Sequence, residues 1–331
     1  MKNAFLSAAA SVAFSALLTL TLRPGPVRAA QTAAPSPEQT IAASAAAATE
    51  TALLRAPAYD RSVLLPVLRE GEIVRMDLHT YLTGVLLAEL PPDFSDEARK
   101  AQAVACRTYA LRSNARRRHE EAAVCTDSAC CMGWTDPAAV SAERRAQAEA
   151  AVDATDGLAI FYEGRLIDAT FFSCSGGMTE DAAAVWGGDL PYLRSVPSPG
   201  EEGAAHFSDE KQVSLAEFQS VLRSADPAVS FPEQLGAWVG TVTRTAGGGV
   251  DVMVLGGRPF RGTELRKLFG LRSTAFTLTL TDETASFTTS GYGHRVGLSQ
   301  YGAEAMAREG KSFREILTWY YRGVTVEAAS G

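Results

Sequence analysis

The chain has 331 residues, of which 46% are hydrophobic and 21% charged, and its formal net charge is −7. This length and composition allow one large globular domain, or one domain that carries a sizeable insertion. The acidic balance lacks the basic footprint that proteins use to bind phosphate backbones, so it argues against a nucleic acid partner.

Residues 1–30 are predicted to be a signal peptide or an N-terminal membrane anchor. Nineteen uncharged residues run from Ala4 to Leu22, directly after Lys2. Cleavage near Ala29 would release a secreted protein, whereas a run close to the roughly 20 residues that span a bilayer can also stay as an anchor. Both alternatives place the rest of the chain outside the cytoplasm, tethered to the cell membrane if the segment is retained.

Residues 31–58 are rich in Ala, Pro, Ser and Thr without an apolar period, which predicts a flexible linker. The globular domain is predicted over 59–326. It should begin with a β-hairpin that joins Val63–Leu68 to Glu72–Leu78. A helix is then predicted from Leu78 to Leu90, because apolar residues recur at helical spacing and two prolines follow.

A second helix is predicted from Ser95 to about Arg118, with a face of small residues that permits close packing. The remaining predicted elements follow in chain order: a cysteine-containing loop at 119–137, a helix at Ser141–Thr155, a hairpin over 157–172, an inserted lobe at about 197–285, and helices at Gln300–Glu309 and Ser312–Tyr321. Helices and small antiparallel sheets mix without a strict βαβ rhythm. The predicted class is therefore α+β, with one catalytic domain that carries an inserted lobe.

Glu89 is the candidate catalytic acid. It lies at the end of an apolar helical turn, where neighbours such as Leu86 and Leu90 would raise the pKa of its carboxyl and keep it protonated near neutral pH. Most glycosidases need two carboxylates. A single acid suffices where it protonates the leaving oxygen and then takes a proton from the sugar's own C6 hydroxyl, which closes a 1,6-anhydro ring. The plain alternative is a solvated glutamate at a helix end.

Three separated blocks of sequence carry a family resemblance. They are Tyr81-Leu-Thr-Gly-Val with Glu89-Leu-Pro and Ala101-Gln-Ala-Val-Ala-Cys-Arg-Thr-Tyr-Ala110; Ser173-Cys-Ser-Gly-Gly177 with Val185-Trp186 and Pro191-Tyr-Leu-Arg194; and Gly293-His-Arg-Val-Gly-Leu-Ser-Gln-Tyr-Gly-Ala303 with Ile316-Leu and Tyr320-Tyr. Together, in this order, they resemble the SpoIID/LytB family. The chain departs from the family pattern at Arg295, where glycine is usual, and this change could alter contacts in a glycan groove.

The resemblance implies a lytic transglycosylase that cleaves peptidoglycan glycan strands already stripped of stem peptides, during septal and engulfment remodelling in sporulation. It implies a SpoIIP-like amidase/endopeptidase and a SpoIIM-like membrane protein as partners. It also points to Glu89 as the general acid and base. The same family name covers amidase activators, so a non-catalytic glycan-binding activator is the alternative.

The candidate sugar-binding residues lie in the three blocks. They are Gln102, Arg107, Tyr109, Ser175, Gly176, Gly177, His294, Ser299 and Gln300. Arg107 could equally balance charge near Glu89 or anchor backbone carbonyls. The serine and glycines at 175–177 could form a plain tight turn, and His294 could hold two loops together.

The loop at 119–137 contains a candidate metal site. His119, Cys125, Cys130 and Cys131 fall within thirteen residues, and four N/S ligands suit a structural, tetrahedral Zn²⁺ ion. SpoIID-like proteins can carry zinc in this loop, with Cys130 here standing where histidine is frequent. A Cys125–Cys131 disulfide is the alternative for an exported protein. A metallohydrolase centre is disfavoured, because four protein ligands leave no position for water.

Overall fold

A computed structural model describes residues 58–116 and 119–329 of the chain. The predicted N-terminal segment and almost all of the predicted linker therefore lie outside the described residues. Within the described ranges, no helix combines the length and the apolarity that crossing a bilayer requires.

The described helices and strands confirm the α+β class. The helices are α1 (Tyr59–Ser62), α2 (Leu78–Glu89), α3 (Asp96–Arg116), α4 (Ala142–Ala154), α5 (Ala182–Trp186), α6 (Leu215–Ala225), α7 (Gly262–Phe269), α8 (Gln300–Arg308) and α9 (Phe313–Tyr320). The strands are β1 (Leu64–Arg69), β2 (Glu72–Asp77), β3 (Val124–Cys125), β4 (Leu158–Tyr162), β5 (Arg165–Leu166), β6 (Phe171–Phe172), β7 (Ser208–Ser214), β8 (Val239–Arg244), β9 (Val250–Leu255), β10 (Arg258–Arg261), β11 (Phe276–Leu280), β12 (Thr284–Ser290), β13 (Leu298–Ser299) and β14 (Thr325–Ala328).

Helix α3 is the centre of the first hydrophobic core, and α2, α4, α8, α9 and β4 pack around it. Its predicted small face is confirmed, since Ala98, Ala101 and Ala105 are all buried. Small side chains let the neighbouring elements approach closely on several sides. The helix therefore fixes where the ends of α2 and α8 lie, and these two ends carry the candidate site.

A second hydrophobic core lies within the region predicted to be the inserted lobe. Its buried side chains run from Val213 to Phe287 and include stacked aromatic rings at Phe218 and Phe269. Two three-stranded antiparallel sheets, ordered β10-β9-β8 and β11-β12-β7, enclose it together with α6 and α7.

Two strand pairs differ from the predicted small antiparallel sheets. The pair β1–β3 is parallel, as is β6–β13. The predicted second strand of the 157–172 hairpin stops at Leu166, because Phe171 and Phe172 pair instead with Leu298 and Ser299. This long-range pairing brings the start of α8 next to the segment at 170–174, which forms one wall of the candidate site.

Candidate active site

An open cleft of about 810 Å³ lies at the end of α2, and it is called "the cleft" from here on. Its lining comes from several short segments that are far apart in sequence, so the fold assembles the cleft from distant parts of the chain. The residues that line it are Glu89, Tyr109, Arg116, Ser128, Ala129, Cys130, Cys131, Met132, Asp168, Thr170, Phe171, Phe172, Ser173, Trp186, Leu190, Tyr292, Gly293, His294 and Gln300.

Glu89 is the last residue of α2 and is partly buried in the cleft. Its Oε1 accepts a hydrogen bond of 2.7 Å from the backbone N–H of Gly133. Burial raises the pKa of the Glu89 carboxyl, while the Gly133 N–H and the Gln300 side chain offset part of that rise. A carboxyl of this kind can hold a proton at a higher pH than an exposed glutamate.

Gln300 begins α8, beside Glu89. Ser299 caps this helix, since its hydroxyl accepts from the Gly302 N–H at 3.3 Å. The Gln300 side chain is only 6% exposed; its Nε2 is near enough to the Glu89 carboxyl to lower the pKa of that group, but it makes no hydrogen bond of good geometry among the described residues. A buried amide without a partner is costly. Because this side chain lines the cleft, its unused donor can serve a ligand there.

Asp168 is the second carboxylate of the cleft lining, and its oxygens are already paired with arginine side chains. Its Oδ2 accepts from Arg112 Nη2 at 2.7 Å, and Arg116 Nη1 lies 3.5 Å from Oδ1. Two guanidinium groups therefore neutralise this carboxylate. Glu89 is left as the cleft's carboxyl group without a cationic partner among the described contacts.

The predicted metal residues lie together. The ligand atoms of His119, Cys125, Cys130 and Cys131 are all within 4.8 Å of one another, and His119 Nε2 is 3.2 Å from Cys131 Sγ. Around tetrahedral zinc, S and N ligands are separated by roughly 3.5–3.8 Å, so the four residues could hold such an ion after a small contraction. Burial is the main cause that raises the pKa of the Cys131 thiol to about 12. All five cysteines are described, and no disulfide joins any two of them.

The loop that carries this cluster is held in place near Thr135, at its C-terminal end. The Thr135 N–H donates to Gly84 O at 3.0 Å, and the Trp134 indole covers Gly84 so closely that a Cβ there would be 2.0 Å from Nε1. Arg69 in turn lies 4.6 Å from the centre of the Trp134 ring. Gly133, which donates to Glu89, thus lies between the His119 and cysteine cluster and the contacts with Gly84.

Among the predicted sugar-binding residues, Tyr109, His294 and Gln300 line the cleft. Arg107 does not, because it is completely buried. Its Nη2 and Nε bind the carboxylate of Asp60 at 2.5 and 2.8 Å, and its guanidinium also donates to the carbonyls of Leu158 and Val152. The structure therefore gives Arg107 the anchoring role, not contact with a sugar.

Gln102 also lies outside the cleft lining. Its side chain is 1% exposed and its Nε2 contacts Cys106 Sγ at 3.3 Å on the next helical turn. Its position on α3 turns it into the core, against Cys106. Ser299 is likewise fully buried and serves as the cap of α8.

The Ser175-Gly176-Gly177 segment binds a protein carboxylate. Glu201 Oε2 accepts from the backbone N–H of Ser175 at 2.6 Å, from its hydroxyl at 2.9 Å and from the Gly176 N–H at 3.2 Å. Glu201 is itself buried, with 2% exposure. These donors are therefore used inside the fold and are not offered to the cleft.

Arg295, the position that departs from the family pattern, is buried rather than exposed in a glycan groove. It has φ of +64°, which is the left-handed region where glycine is common. Its guanidinium pairs with Glu180 Oε1 at 3.2 Å and donates to Ser175 O at 2.7 Å and Gly247 O at 2.8 Å. The side chain thus ties the loop at 247 to the segment at 175–180.

Three residues of the candidate site escaped the sequence reasoning: Gly133 beside Glu89, and Asp168 and Trp186 in the cleft lining. Gly133 carries no side-chain signal, since any non-proline residue can donate a backbone N–H. Asp168 belongs to no recognised motif. Trp186 stood in one of the resemblance blocks, and a tryptophan followed by two glycines was a signal that could have marked it as a surface-exposed residue.

Comparisons with known proteins agree on one family. A sequence model described as SpoIID, stage II sporulation protein, matches residues 69–162. Stage II sporulation protein D of Bacillus amyloliquefaciens is 35% identical over 280 residues, which cover 81% of this chain and 79% of that protein. Its namesake in Bacillus subtilis is 34% identical over 280 residues, with 81% and 80% covered. The amidase enhancer of Bacillus subtilis is 28% identical over 293 residues, which cover 74% of this chain and 40% of that protein.

Proposed function

We propose a glycan-cleaving activity for this chain, which belongs to the SpoIID family of stage II sporulation proteins. Specifically, the chain acts as a lytic transglycosylase on peptidoglycan strands that have lost their stem peptides, and it leaves 1,6-anhydro-muramic ends. The observation that carries this proposal is a single partly buried carboxyl, Glu89, in an open cleft whose other lining carboxylate is neutralised.

Glu89 supplies the proton for bond cleavage. The Gly133 N–H donates to Oε1, so Oε1 acts as an acceptor and the acid proton belongs on Oε2. Burial favours this protonated form by raising the pKa of the carboxyl. In the reaction, the proton passes from Oε2 to the glycosidic oxygen, and the bond between that oxygen and the anomeric carbon breaks.

The same carboxylate then acts as the base. It accepts the proton of the muramic C6 hydroxyl, whose oxygen attacks the anomeric carbon and closes the anhydro ring. No water is consumed, and Glu89 ends the cycle protonated as it began. Asp168 is unsuited to be a second base or nucleophile, because Arg112 and Arg116 hold it in ion pairs.

Gln300 orients the strand in this scheme. Its unused Nε2 donor lies in the cleft beside Glu89, where a sugar oxygen can accept from it. A buried donor that makes no well-formed hydrogen bond in the free protein can form one when substrate is bound. Tyr109 and His294 complete the predicted binding residues that the cleft lining contains.

His119, Cys125, Cys130 and Cys131 would hold a structural Zn²⁺ ion. When bound, zinc with four protein ligands cross-links the loop and offers no open position for catalysis. The loop carries Gly133, so its order bears on the N–H that faces Glu89. We expect about one zinc per purified chain by elemental analysis, lost in Cys130→Ser and retained in Cys106→Ala, whose cysteine lies outside the cluster. If wild-type protein that contains no zinc were as stable as the zinc-loaded protein, this assignment would be wrong.

The proposed location is outside the cytoplasm, with residues 1–30 as the tether to the cell membrane. It is supported by the nineteen uncharged residues that precede Arg23. The proposed partners are the glycan strands, an amidase/endopeptidase that strips stem peptides, and a membrane protein of the same sporulation machinery. Septal and engulfment cell-wall remodelling is the corresponding process.

One observation favours a second candidate function. The relative named amidase enhancer matches 74% of this chain, so the chain could bind glycan and activate an amidase without cleaving strands itself. The raised pKa of Glu89 favours the enzyme, because a protein that only binds glycan has no need of a carboxyl held in its acid form.

The deciding experiment uses the full chain and glycan strands that an amidase has stripped of stem peptides. Mass spectrometry should detect 1,6-anhydro-muramic ends with the wild type and with Glu264→Gln, a control at an exposed glutamate outside the cleft. Glu89→Gln should form these ends about 10²–10⁴-fold more slowly. Reducing ends without anhydro rings would identify a hydrolase. Strand binding without cleavage, combined with stimulation of an added amidase, would support the activator.

A further inference from the structure

Trp186 is half exposed inside the cleft. Its exposed fraction is 50%, and it lines the same space as Glu89. An indole of this size is normally largely buried in a folded protein. Trp319 is the other tryptophan with a large exposed fraction among the described residues, at 38%, but it lies outside the cleft lining and its Nε1 donates to Pro197 O.

The backbone around Trp186 fixes its position. It is the last residue of α5, and Gly187 ends the helix in the left-handed conformation, with φ of +79° and its N–H bonded to Ala183 O. Ala182, at the start of the helix, is buried and part of the first core. The indole is therefore carried on a short anchored helix, although half of its surface faces solvent.

Two further rings stand behind the indole. The centre of the His294 ring lies 5.1 Å from that of Trp186, and the Phe172 ring packs edge-on against His294 at 5.7 Å. Both residues also line the cleft. The three rings form a continuous aromatic wall, which we call the Trp186 wall, and its geometry is set by β6 and by the segment before β13.

The Trp186 wall carries no charge near neutral pH. His294 Nδ1 accepts from the Val296 N–H at 3.1 Å, which requires an unprotonated nitrogen there. Burial is the main cause that lowers the pKa of His294 to about 4, and Arg266 contributes. A neutral wall does not attract an anionic or cationic group by charge, so it favours a ligand with an uncharged apolar face.

We propose that the Trp186 wall is a sugar subsite, on which one pyranose ring of the glycan strand stacks while the neighbouring linkage meets Glu89. The inference rests on the proposed function for its choice of ligand. A pyranose presents C–H groups on its ring faces and hydroxyls at its rim. The cleft matches this division, because the aromatic wall is apolar while Gln300, Ser173 and Tyr292 supply polar groups around it.

A flat protein-docking patch fits these observations less well. The exposed indole stands in a concave space with the candidate acid, and the exposed large apolar side chains elsewhere in the described residues do not line that space. Stacking at this position would set the register of the strand, and therefore which linkage lies over Glu89. We expect the wall to contribute mainly to ground-state binding.

The test uses the full chain and strands stripped of stem peptides, with binding measured in a Glu89→Gln background so that strands are not consumed. Trp186→Ala should weaken strand binding by about tenfold, the usual order for truncating a central tryptophan contact. Trp186→Phe should restore most of the affinity, because a ring remains. Trp319→Ala is the matched control and should bind as its parent does.

Kinetics and fluorescence separate this inference from the proposed function. With active protein, Trp186→Ala should raise KM far more than it lowers kcat. Strands should also change the indole fluorescence of the Glu89→Gln protein, and Trp186→Phe should abolish that change even if the alanine variant folds poorly. Anhydro ends formed with an unchanged KM in Trp186→Ala would overturn the subsite and leave the transglycosylase standing. Lost strand binding in Trp186→Ala, with no cleavage by wild type, would retain the subsite and overturn the transglycosylase.

Discussion

The Arg107 pair and the Glu89 site are both built on charged residues of the adjoining helices α2 and α3, but they use their hydrogen-bonding capacity differently. Arg107 is surrounded by Asp60 and backbone carbonyls, with no exposed surface. Glu89 has one fixed backbone donor, and beside it Gln300 keeps a donor without a partner. The contrast teaches that a charged group whose hydrogen-bonding capacity is fully used stabilises this fold. A group that faces the cleft with hydrogen-bonding capacity to spare is available for chemistry.

The largest expected effect tests the Glu89 site. Glu89→Gln should lower the rate of anhydro-end formation by about 10²–10⁴-fold, the usual contribution of a general acid and base. Thermal unfolding should be no earlier than in wild type at neutral pH, since a neutral amide is easier to bury than a carboxylate. A large loss of stability would break the comparison, because Glu89 would then belong with the structural charges.

Arg107→Ala tests the structural role of the buried pair of Arg107 with Asp60. Removing one partner leaves Asp60 buried without its cation, which should cost about 3–5 kcal/mol of unfolding free energy in urea denaturation. An Arg107→Met, Asp60→Leu double variant should recover much of that loss, because no unpaired charge remains buried. If the alanine variant kept its stability and lost only strand binding, Arg107 would contact sugar after all.

Arg295→Gly sharpens the comparison, since it restores the residue usual in the family. Glycine should relieve the cost of a left-handed backbone, about 1–3 kcal/mol, but it leaves Glu180 buried without its ion-pair partner, at about 3–5 kcal/mol. We expect a net loss of roughly 2 kcal/mol in unfolding free energy. A more stable glycine variant would show that the pair with Glu180 contributes little.

The smallest effect concerns pH. The folded-state pKa of Glu89 is raised, mainly by burial, so its carboxyl favours folding most below the unfolded-state pKa of about 4.3 and loses that contribution as pH rises through the folded-state value. The Tm of Glu89→Gln relative to wild type should therefore be higher at pH 7 than at pH 4. A relative Tm that falls with pH would mean that the Glu89 carboxylate is stabilised in the fold.

Local signals predicted the first half of the fold well. The hairpin β1–β2 and the helices α2, α3 and α4 all appear as expected. Strand β7 was missed because its sequence is mostly polar and its order comes from pairing with β12. The pairing of β6 with β13 spans more than a hundred residues, and no local pattern announces it.

Residues of the candidate site could be predicted from the sequence only where the type of side chain itself indicates the chemistry. The carboxyl of Glu89 and the ligand set of His119 and three cysteines could be read from residue types. The inward turn of Gln102 depends on packing around α3. The donor at Gly133 depends on where a loop is fixed in space. Sequence alone could place neither.

The loop before Thr135 carries both a part of the cleft rim and the backbone N–H that donates to Glu89. The proposed zinc ligands, His119 and three cysteines, lie towards one end, and the contact of Trp134 with Gly84 holds the other. Ser128 and Ala129 lie between Cys125 and Cys130 in the chain and line the cleft, but they belong neither to the cluster nor to the Trp134 contact. Substitutions at 128–129 should therefore change the rim of the cleft while the Gly133 N–H keeps its hydrogen bond to Glu89.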